Sequence, residues 1–218
     1  MRQNGQKLSN MSAMTATLPG VVPGGIPGAG AAVERAFSPT EARILTAALA
    51  VIGRRGVRRL GMQEIAEAAG VSRGTLYRYF PSKDHVVAAA AEYDGQRFSA
   101  GLDQVLAMTR GPEAEIAAFM AYAFDFIRAH PCRSLFESEP GFVMSYLLEH
   151  LPALRGELVL RLGAALDSVP AVAAGTLGRE QLADVIVRLF AASWIIPEAD
   201  DDSLVQSLNQ ILQLTGGT

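Results

Sequence analysis

The sequence predicts an all-α protein, and three observations support that fold class. Leu and Ala outnumber the β-branched residues, and half of the 218 residues are hydrophobic although only 7% are aromatic. Apolar residues recur at spacings of three and four, which is the period of a helix buried on one side. Pro, Gly and Ser stand between the periodic segments, where helix ends are expected. Together these features indicate helices packed on helices.

The first predicted helix lies in the segment SPTEARILTAALAVIGRRG. Ser38 can cap it, Pro39 suits the first helical position, and Glu41 completes a capping box. Its apolar face contains Ile44, Leu45, Ala48, Leu49 and Ile52. Gly53 together with Gly56 is predicted to end the helix.

Nine more helices are predicted along the chain. A second helix over 62–69 ends at Gly70, Ser72 caps a short third helix ending near Phe80, and Ser82 begins a fourth that reaches Met108. The remaining helices are expected at Pro112–Ala129, Pro131–Ser138, Gly141–Leu151, Pro152–Leu166, Arg179–Ile196 and Asp201–Leu214.

Composition excludes several classes of protein. Cys132 is the only cysteine, so one chain can form neither a disulfide framework nor a thiolate metal site, which fits a reducing cytoplasm. The histidines His85, His130 and His150 lack the spacing of a metal motif, and neither a metal nor a cofactor is expected. No long uninterrupted apolar run or signal-peptide segment is present, so no membrane association is expected.

Charge is distributed unevenly between the two parts of the chain. Residues 38–84 contain eight basic and four acidic side chains, whereas residues 85–218 contain eight basic and seventeen acidic ones. The first part therefore carries a net charge of +4 and the second −9. A polyanion would be attracted to the first part and repelled by the second.

The second and third helices are separated only by Gly70, Val71 and the capping Ser72. Glycine tolerates the left-handed backbone that such a tight turn needs. A small residue, Ala66, stands where the two helices must cross. The apolar seam is formed by Ile65, Ala69, Val71, Leu76 and Phe80. This is the pattern of a helix-turn-helix, whose second helix enters the major groove of DNA.

The polar residues of the third helix suit contacts with DNA. Arg73 lies at its N-terminal end and can bind guanine O6 and N7, Gly74 permits close approach of the backbone, and Thr75 offers a hydroxyl and a methyl group. The hydroxyls of Tyr77 and Tyr79 suit phosphate oxygens. The alternative is an ordinary solvated helix face, which arginines and tyrosines also form.

The segment LGMQEIAEAAGVSRGTLYRYFPSKDHVV (60–87) closely resembles the signature of the TetR family of transcriptional regulators, and the match extends back through RILTAALAVIGRRG. The resemblance implies a three-helix DNA-binding head (38–84) with a helix-turn-helix. A long fourth helix would link it to a helical body (85–218) that dimerises and usually binds a small ligand. Eight residues match positions that commonly touch DNA in the family: Gln63, Ser72, Arg73, Gly74, Thr75, Tyr77, Tyr79 and Lys83.

This sequence departs from the family pattern at one point. The second helix usually opens with Thr or Ser, which caps it and contacts a phosphate, but Gly61 and Met62 stand there. Glycine caps a helix nearly as well but offers no side-chain hydrogen bond. The neighbouring Arg58 and Arg59 are candidates to compensate electrostatically.

In the body, the resemblance implies a dimer interface formed by the last two helices. Its expected residues are Leu182, Val185, Ile186, Leu189, Leu204, Leu208 and Ile211. The expected ligand pocket contains Phe119, Tyr122, Phe126, Phe142, Tyr146 and Trp194, with Asp125, Arg128 or Arg133 at a polar end. For both sets, the alternative is the apolar core of a single chain. Cys132 is either a buried thiol or a redox sensor.

We therefore expect a cytoplasmic homodimeric repressor that is released from a pseudo-palindromic operator by a small, largely apolar effector. The alternatives are an activator, a regulator without ligand, or a helical lipid carrier or enzyme. No catalytic set can be assembled from recognisable motifs, so an enzyme is not expected. Residues 1–37, with Pro or Gly at eight of the thirteen positions 18–30, form either a disordered leader or a flexible arm carrying Arg2, Lys7 and Arg35 to DNA.

Overall fold

The computed structural model describes residues 35–196 and three further helical positions, 206, 207 and 210. Every regular element in this part of the chain is a helix, which confirms the predicted fold class. The helices are α1 (Pro39–Arg55), α2 (Met62–Ala68), α3 (Arg73–Tyr79), α4 (Lys83–Met108), α5 (Pro112–Ala129), α6 (Leu135–Ser138), α7 (Pro140–Asp167), α8 (Pro170–Ala173) and α9 (Arg179–Ile195). Residues 1–34 and most of the predicted helix over 201–214, including Leu204, Leu208 and Ile211, lie outside the described residues.

Helix α1 begins as predicted but ends later. The Glu41 backbone N–H donates to Ser38 Oγ at 3.3 Å, and the Ser38 N–H donates to Glu41 Oε2 at 2.9 Å, so the capping box is formed. The prediction that Gly53 helps to end the helix was wrong, because α1 continues to Arg55. It ends at Gly56, whose φ of 79° lies in the left-handed region.

Gly53 instead permits a close approach between α1 and a distant turn. A Cβ atom at this position would lie 1.9 Å from the carbonyl oxygen of Pro131. The Ser134 hydroxyl of the same turn donates to the Gly53 carbonyl at 3.3 Å. Any side chain at position 53 would therefore separate two backbone segments that are 78 residues apart in sequence.

The prediction of separate helices at 141–151 and 152–166 was also wrong, because α7 runs through Pro152. Proline removes one helical hydrogen bond, which would otherwise go to the carbonyl of Leu148. Both Pro152 and Leu148 are exposed, so the carbonyl that loses its donor is on the solvent side. Buried Leu147 and Leu154 on the other side of α7 keep the helix packed.

Two smaller differences lie beside this helix. Residues 131–134 form turns, so that only Leu135–Ser138 is helical in the predicted segment 131–138. The short helix α8 was not predicted. Its four residues follow directly on the end of α7, with Val169 as the residue before the helix.

Two clusters of buried side chains form the core. One contains the apolar residues of α1 to α3 and the first half of α4, together with Cys132, Leu135, Val143, Tyr146 and Leu147. The other lies between α4, α5, α7 and α9. Because body residues belong to the first cluster, the three-helix head packs directly on the body.

Candidate nucleic-acid interface and body cavities

The turn between α2 and α3 has the tight geometry that its sequence predicts. Gly70 has a φ of 61°, and the Val71 N–H donates to the Ala66 carbonyl at 3.0 Å. Ser72 has an extended backbone and caps α3, because its hydroxyl accepts from the Thr75 N–H at 3.0 Å. These contacts fix the direction in which α3 leaves the turn.

One side of α3 is anchored and the other is free. Leu76 is fully buried against the head core, together with Ile65 and Phe80. Arg73 and Tyr77, one helical turn apart, are exposed, and the Arg73 guanidinium lies 5.5 Å from the centre of the Tyr77 ring. This stacking holds a cation and an aromatic ring together on the solvent side of the helix.

Glycine at position 74 is not required by the packing of the head. A Cβ atom there would meet nothing closer than Ser72 Oγ, at 3.8 Å. The Thr75 side chain is half-buried, and its hydroxyl lies 2.9 Å from the Ser72 hydroxyl. The bare backbone at Gly74 therefore faces open space.

Two other residues from the sequence prediction are held by contacts within the chain. Gln63 is exposed on α2, and its amide donates to Glu67 Oε1 at 3.0 Å. Lys83 is half-buried, and its Nζ lies 3.4 Å from the Val57 carbonyl and 3.5 Å from that of Arg58. Lys83 thus ties the start of α4 to the segment that follows α1, a contact that the sequence pattern does not reveal.

The remaining predicted contact, Tyr79, lies half-buried beside Arg78. The Arg78 guanidinium lies 5.3 Å from the centre of the Tyr79 ring, and Arg78 itself is exposed. Gly61 precedes α2 without a side-chain capping bond, as its lack of a side chain requires. Arg58 and Arg59 are both exposed just before it.

The body contains an apolar cavity between α4, α5, α7 and α9. It is lined by Phe98, Ser99, Leu102, Phe119, Leu154, Glu157, Leu158, Arg161, Val187 and Phe190. Its charged side chains are already paired, because Arg161 binds Glu157 on its own helix and Asp103 on α4. Burial alone would lower the pKa of Arg161, but these two carboxylates raise it, so the guanidinium stays charged.

A second cavity lies beside the first. Its lining consists of Cys132, Leu135, Val143, Tyr146, Leu147, Leu154, Phe190 and Trp194. Leu154 and Phe190 line both cavities and therefore form the wall between them. The second cavity borders the core cluster that joins head and body.

The predicted pocket residues are divided among four places. Phe119 lines the first cavity, whereas Tyr146 and Trp194 line the second. Tyr122 and Phe126 line neither and instead stack on Phe98, with ring centres 5.2 and 5.0 Å away. Phe142 packs against the head core. The expected polar residues Asp125 and Arg128 pair with each other on the surface, at 2.6 Å.

Cys132 is a buried thiol. Its Sγ lies 3.4 Å from the Leu49 carbonyl of α1, and the residue has no exposed surface. Burial, aided by the charge of Asp94, strongly raises the pKa of the thiol. Since the thiolate is the reactive form, this environment does not suit a redox sensor.

The residues of α9 that were predicted to form the dimer interface differ in exposure. Leu182 and Ile186 are buried in the core of their own chain, so these two residues do not lie on an exposed interface. Val185 is 49% exposed, and Leu189 is half-buried. The helical rotation of about 100° per residue separates the two pairs.

Within the described residues, no group of three or more His, Cys, Asp or Glu side chains is arranged to hold a metal ion. None of the described helices has the length and apolarity to cross a membrane.

Comparison with known proteins finds a family match in the head. Residues 44–90 match the family described as bacterial regulatory proteins, tetR family. The chain is similar to the transcriptional repressor KstR of Mycolicibacterium smegmatis, with 44% identity over 62 residues, which are 28% of this chain and 30% of the relative. It is also similar to the transcriptional activator FasR of the same organism, with 33% identity over 99 residues, or 44% and 45% of the two chains. The matched segment thus spans less than a third of KstR and less than half of FasR.

The likeness of fold extends further than the likeness of sequence. The solved structure of the fatty acid degradation regulator FadR from Bacillus halodurans superposes with a TM-score of 0.66 at 20% identity, covering 82% of this chain and 96% of that one. The shared fold includes the body as well as the head. The chain thus contains a segment that matches the tetR family of bacterial regulatory proteins, within a fold that it shares over most of its length with a solved regulator.

Proposed function

We propose that the protein is a DNA-binding transcriptional regulator, and specifically a repressor whose operator binding is released by a small, largely apolar ligand. The observation that carries this proposal is the exposed side of α3. Arg73, Gly74 and Tyr77 lie there on a helix whose other side is buried and whose start is capped. A rigid helix that offers a cation, bare backbone and a phenol to solvent suits the major groove.

Two kinds of DNA contact follow from this arrangement. Arg73, Gly74 and Thr75 would meet base edges, because they occupy the first turn of the inserted helix. Phosphates would be bound by the remaining predicted residues, Gln63, Ser72, Tyr77, Tyr79 and Lys83. Lys83 would act near the backbone while keeping the start of α4 against the end of α1.

The regulator would act in the cytoplasm as a homodimer on a pseudo-palindromic operator. Residues 38–84 would be the DNA-binding head, and residues 85–218 the ligand-binding and dimerisation body. Val185, which is exposed, and Leu189, which is half-buried against the body core, supply apolar surface on α9 that suits a dimer contact. Leu204, Leu208 and Ile211 would complete the interface. The two heads would then reach half-sites about 34–36 Å apart, one turn of DNA.

The ligand would bind in the two adjoining body cavities, whose lining is mostly apolar. It would release the operator by favouring a spacing of the heads that does not fit DNA. Such a switch requires that the ligand bind the released state more tightly than the DNA-bound state. Because the head and the body share one core cluster, a change beside the second cavity can reach α1.

Fluorescence anisotropy on DNA from upstream of the protein's own gene, beside random DNA of equal length, tests the proposal. We expect tighter binding to the upstream DNA and a loss of roughly tenfold or more in Arg73→Ala, because a bidentate arginine–guanine contact is worth about 1–3 kcal/mol. Arg110→Ala is the matched control, since Arg110 is an exposed arginine beyond the far end of α4.

Equal, salt-sensitive binding to both DNAs, unchanged in Arg73→Ala, would contradict the proposal. A reporter gene driven from the same DNA separates repression from activation. Deletion of the regulator raises expression if it represses and lowers expression if it activates.

A further inference from the structure

A buried polar cluster lies where α4, the end of α5 and α7 meet. It contains Asp94, which has no exposed surface, together with His130 and Tyr146, which are 6% and 5% exposed. His130 Nε2 lies 2.8 Å from Asp94 Oδ2, and His130 Nδ1 accepts a hydrogen bond from the Cys132 N–H at 3.1 Å. Since Nδ1 is an acceptor, the ring proton is on Nε2 and is donated to Asp94.

Two polar atoms of this cluster have no hydrogen bond to the described part of the chain. They are Asp94 Oδ1 and the Tyr146 hydroxyl, and both atoms are buried. The nearest cation to Asp94 Oδ1 is Arg97 Nη1, at 3.7 Å, which is beyond hydrogen-bond distance. Buried polar groups are almost always hydrogen-bonded, because an unsatisfied one costs about 1–3 kcal/mol.

The Tyr146 side chain lines the second cavity, and Asp94 and His130 lie behind that lining. Tyr146 and Cys132 line that cavity, and the His130 ring packs 5.0 Å from the Trp194 ring, which also lines it. Burial, and then the charge of Asp94, raise the pKa of Tyr146, so the phenol keeps its proton and remains a donor. The cavity is thus apolar except where this cluster borders it.

We propose that the second cavity binds the hydroxyl group of a neutral, otherwise apolar ligand, with the ligand hydroxyl accepting a hydrogen bond from the Tyr146 hydroxyl. The buried Tyr146 hydroxyl has no hydrogen-bond partner among the described residues, and a ligand hydroxyl oxygen supplies the missing acceptor. A ligand carboxylate would be repelled by Asp94. An ammonium group would compete with Arg97 for the same carboxylate and would lose its hydration on entering the cavity.

The site is connected to the head through the segment that follows α5. Cys132 contacts the Leu49 carbonyl, the Ser134 hydroxyl donates to the Gly53 carbonyl at 3.3 Å, and Glu139 Oε1 accepts from the Arg58 N–H at 2.9 Å. A ligand that displaces His130 or Cys132 therefore moves the residues that hold α1. Only this regulatory consequence rests on the proposed function.

Binding of three ligands of equal chain length, decanol, decanoic acid and decylamine, to the full chain tests the inference. Trp194 is the only tryptophan and lines the cavity, so its emission reports occupancy directly. We expect decanol to bind most tightly, and Tyr146→Phe to weaken its binding roughly three- to tenfold, the value of one hydrogen bond. Tyr93→Phe is the matched control, because its hydroxyl instead contacts Thr46 at 3.3 Å.

Asp94→Asn gives a second measurement, the preference among the three ligands, which would not change if Asp94 had only a structural role. Removing the charge is expected to narrow or reverse the preference for decanol over decanoic acid. Thermal unfolding of each variant verifies that it is folded. If Asp94→Asn is not folded, the binding of decanol to Tyr146→Phe tests the inference alone. The inference is overturned if no ligand changes Trp194 emission, if decanoic acid or decylamine binds best, or if Tyr146→Phe binds decanol normally.

Operator binding, measured on the same protein, separates this inference from the proposed function. Specific DNA binding without a preference for the alcohol would overturn the inference alone. A preference for the alcohol without specific DNA binding would overturn the proposed function alone.

Discussion

The helices of the head and those of the body begin in different ways. In the head, α1, α3 and α4 each follow a serine whose hydroxyl accepts a backbone N–H three residues later, at 3.3, 3.0 and 3.3 Å. In the body, α5, α7 and α8 begin with proline, and the residues before them make no side-chain capping bond. Three of the first four helices thus begin at a local side-chain hydrogen bond, which α2 and these three body helices lack.

The two regions therefore differ in what stabilises the starts of their helices. A serine cap contributes about 1 kcal/mol and depends only on neighbouring residues, so α3 keeps its direction when the body changes. Helices held by side-chain packing have two or more arrangements of similar energy more readily than capped ones. We infer that a rigid head is carried by a body that can repack around a ligand.

The largest effect is expected at the contact between the two regions. Gly53→Ala places a Cβ atom on the Pro131 carbonyl, and neither backbone segment can move without disturbing the core. We expect a loss of about 3 kcal/mol in the free energy of unfolding, measured by urea denaturation.

Gly74→Ala is the matched control for that loss. It fills open space on α3, so we expect unchanged stability or a gain of up to about 1 kcal/mol, because alanine favours helix over glycine. We also expect weaker operator binding. A Gly53→Ala protein as stable as Gly74→Ala would show that the head and body are not joined at this contact.

For the same reason, the sequence predicts the structure of the head better than that of the body. The capping serines, Gly70 and the buried Leu76 are signals within a few residues of what they determine, and the head was predicted correctly apart from Gly53. The role of Gly53 depends on Pro131, and the passage of α7 through Pro152 depends on which side of the helix faces solvent. Neither can be predicted from local pattern.

The predictions for the candidate site also differ between the head and the body. Arg73 and Tyr77 lie exposed on α3 as predicted, whereas the ligand cavities divide the aromatic cluster in a way that the sequence does not show. Glu157 and Arg161 were missed because their helix was expected to be separate from the aromatic segment. Burial of Asp94 on a helix rich in alanine depends on long-range packing and has no sequence signal of its own.

A smaller effect is expected at the cap of α3. Ser72→Ala removes the acceptor for the Thr75 N–H and should destabilise the head by about 1 kcal/mol, with weaker operator binding as α3 frays. Hydrogen exchange of the α3 amides measures the fraying. Ser145→Ala, at an exposed position inside α7, is the comparison and should leave α3 unaffected. Equal exchange in both variants would show that the cap does not fix α3.

The smallest effect is a dependence on pH at the start of α1. Burial alone would raise the pKa of Glu41, but the hydrogen bonds from Ser38 and the charge of Arg35 lower it. A lowered folded pKa means that the carboxylate stabilises the head above its ordinary pKa of about 4.3, and that this is lost as the pH falls through the folded value. Glu41→Gln should flatten the stability profile in that range, measured by thermal unfolding against pH. The same slope in both proteins would contradict this role for Glu41.

The most direct test of the whole account is a footprint of the full-length protein on the DNA upstream of its gene. The account predicts two protected half-sites of related, inverted sequence, centred about one turn of DNA apart, and loss of both in Arg73→Ala. Protection of a single site, or none at concentrations that saturate anisotropy, would contradict a dimeric regulator that reads DNA through α3.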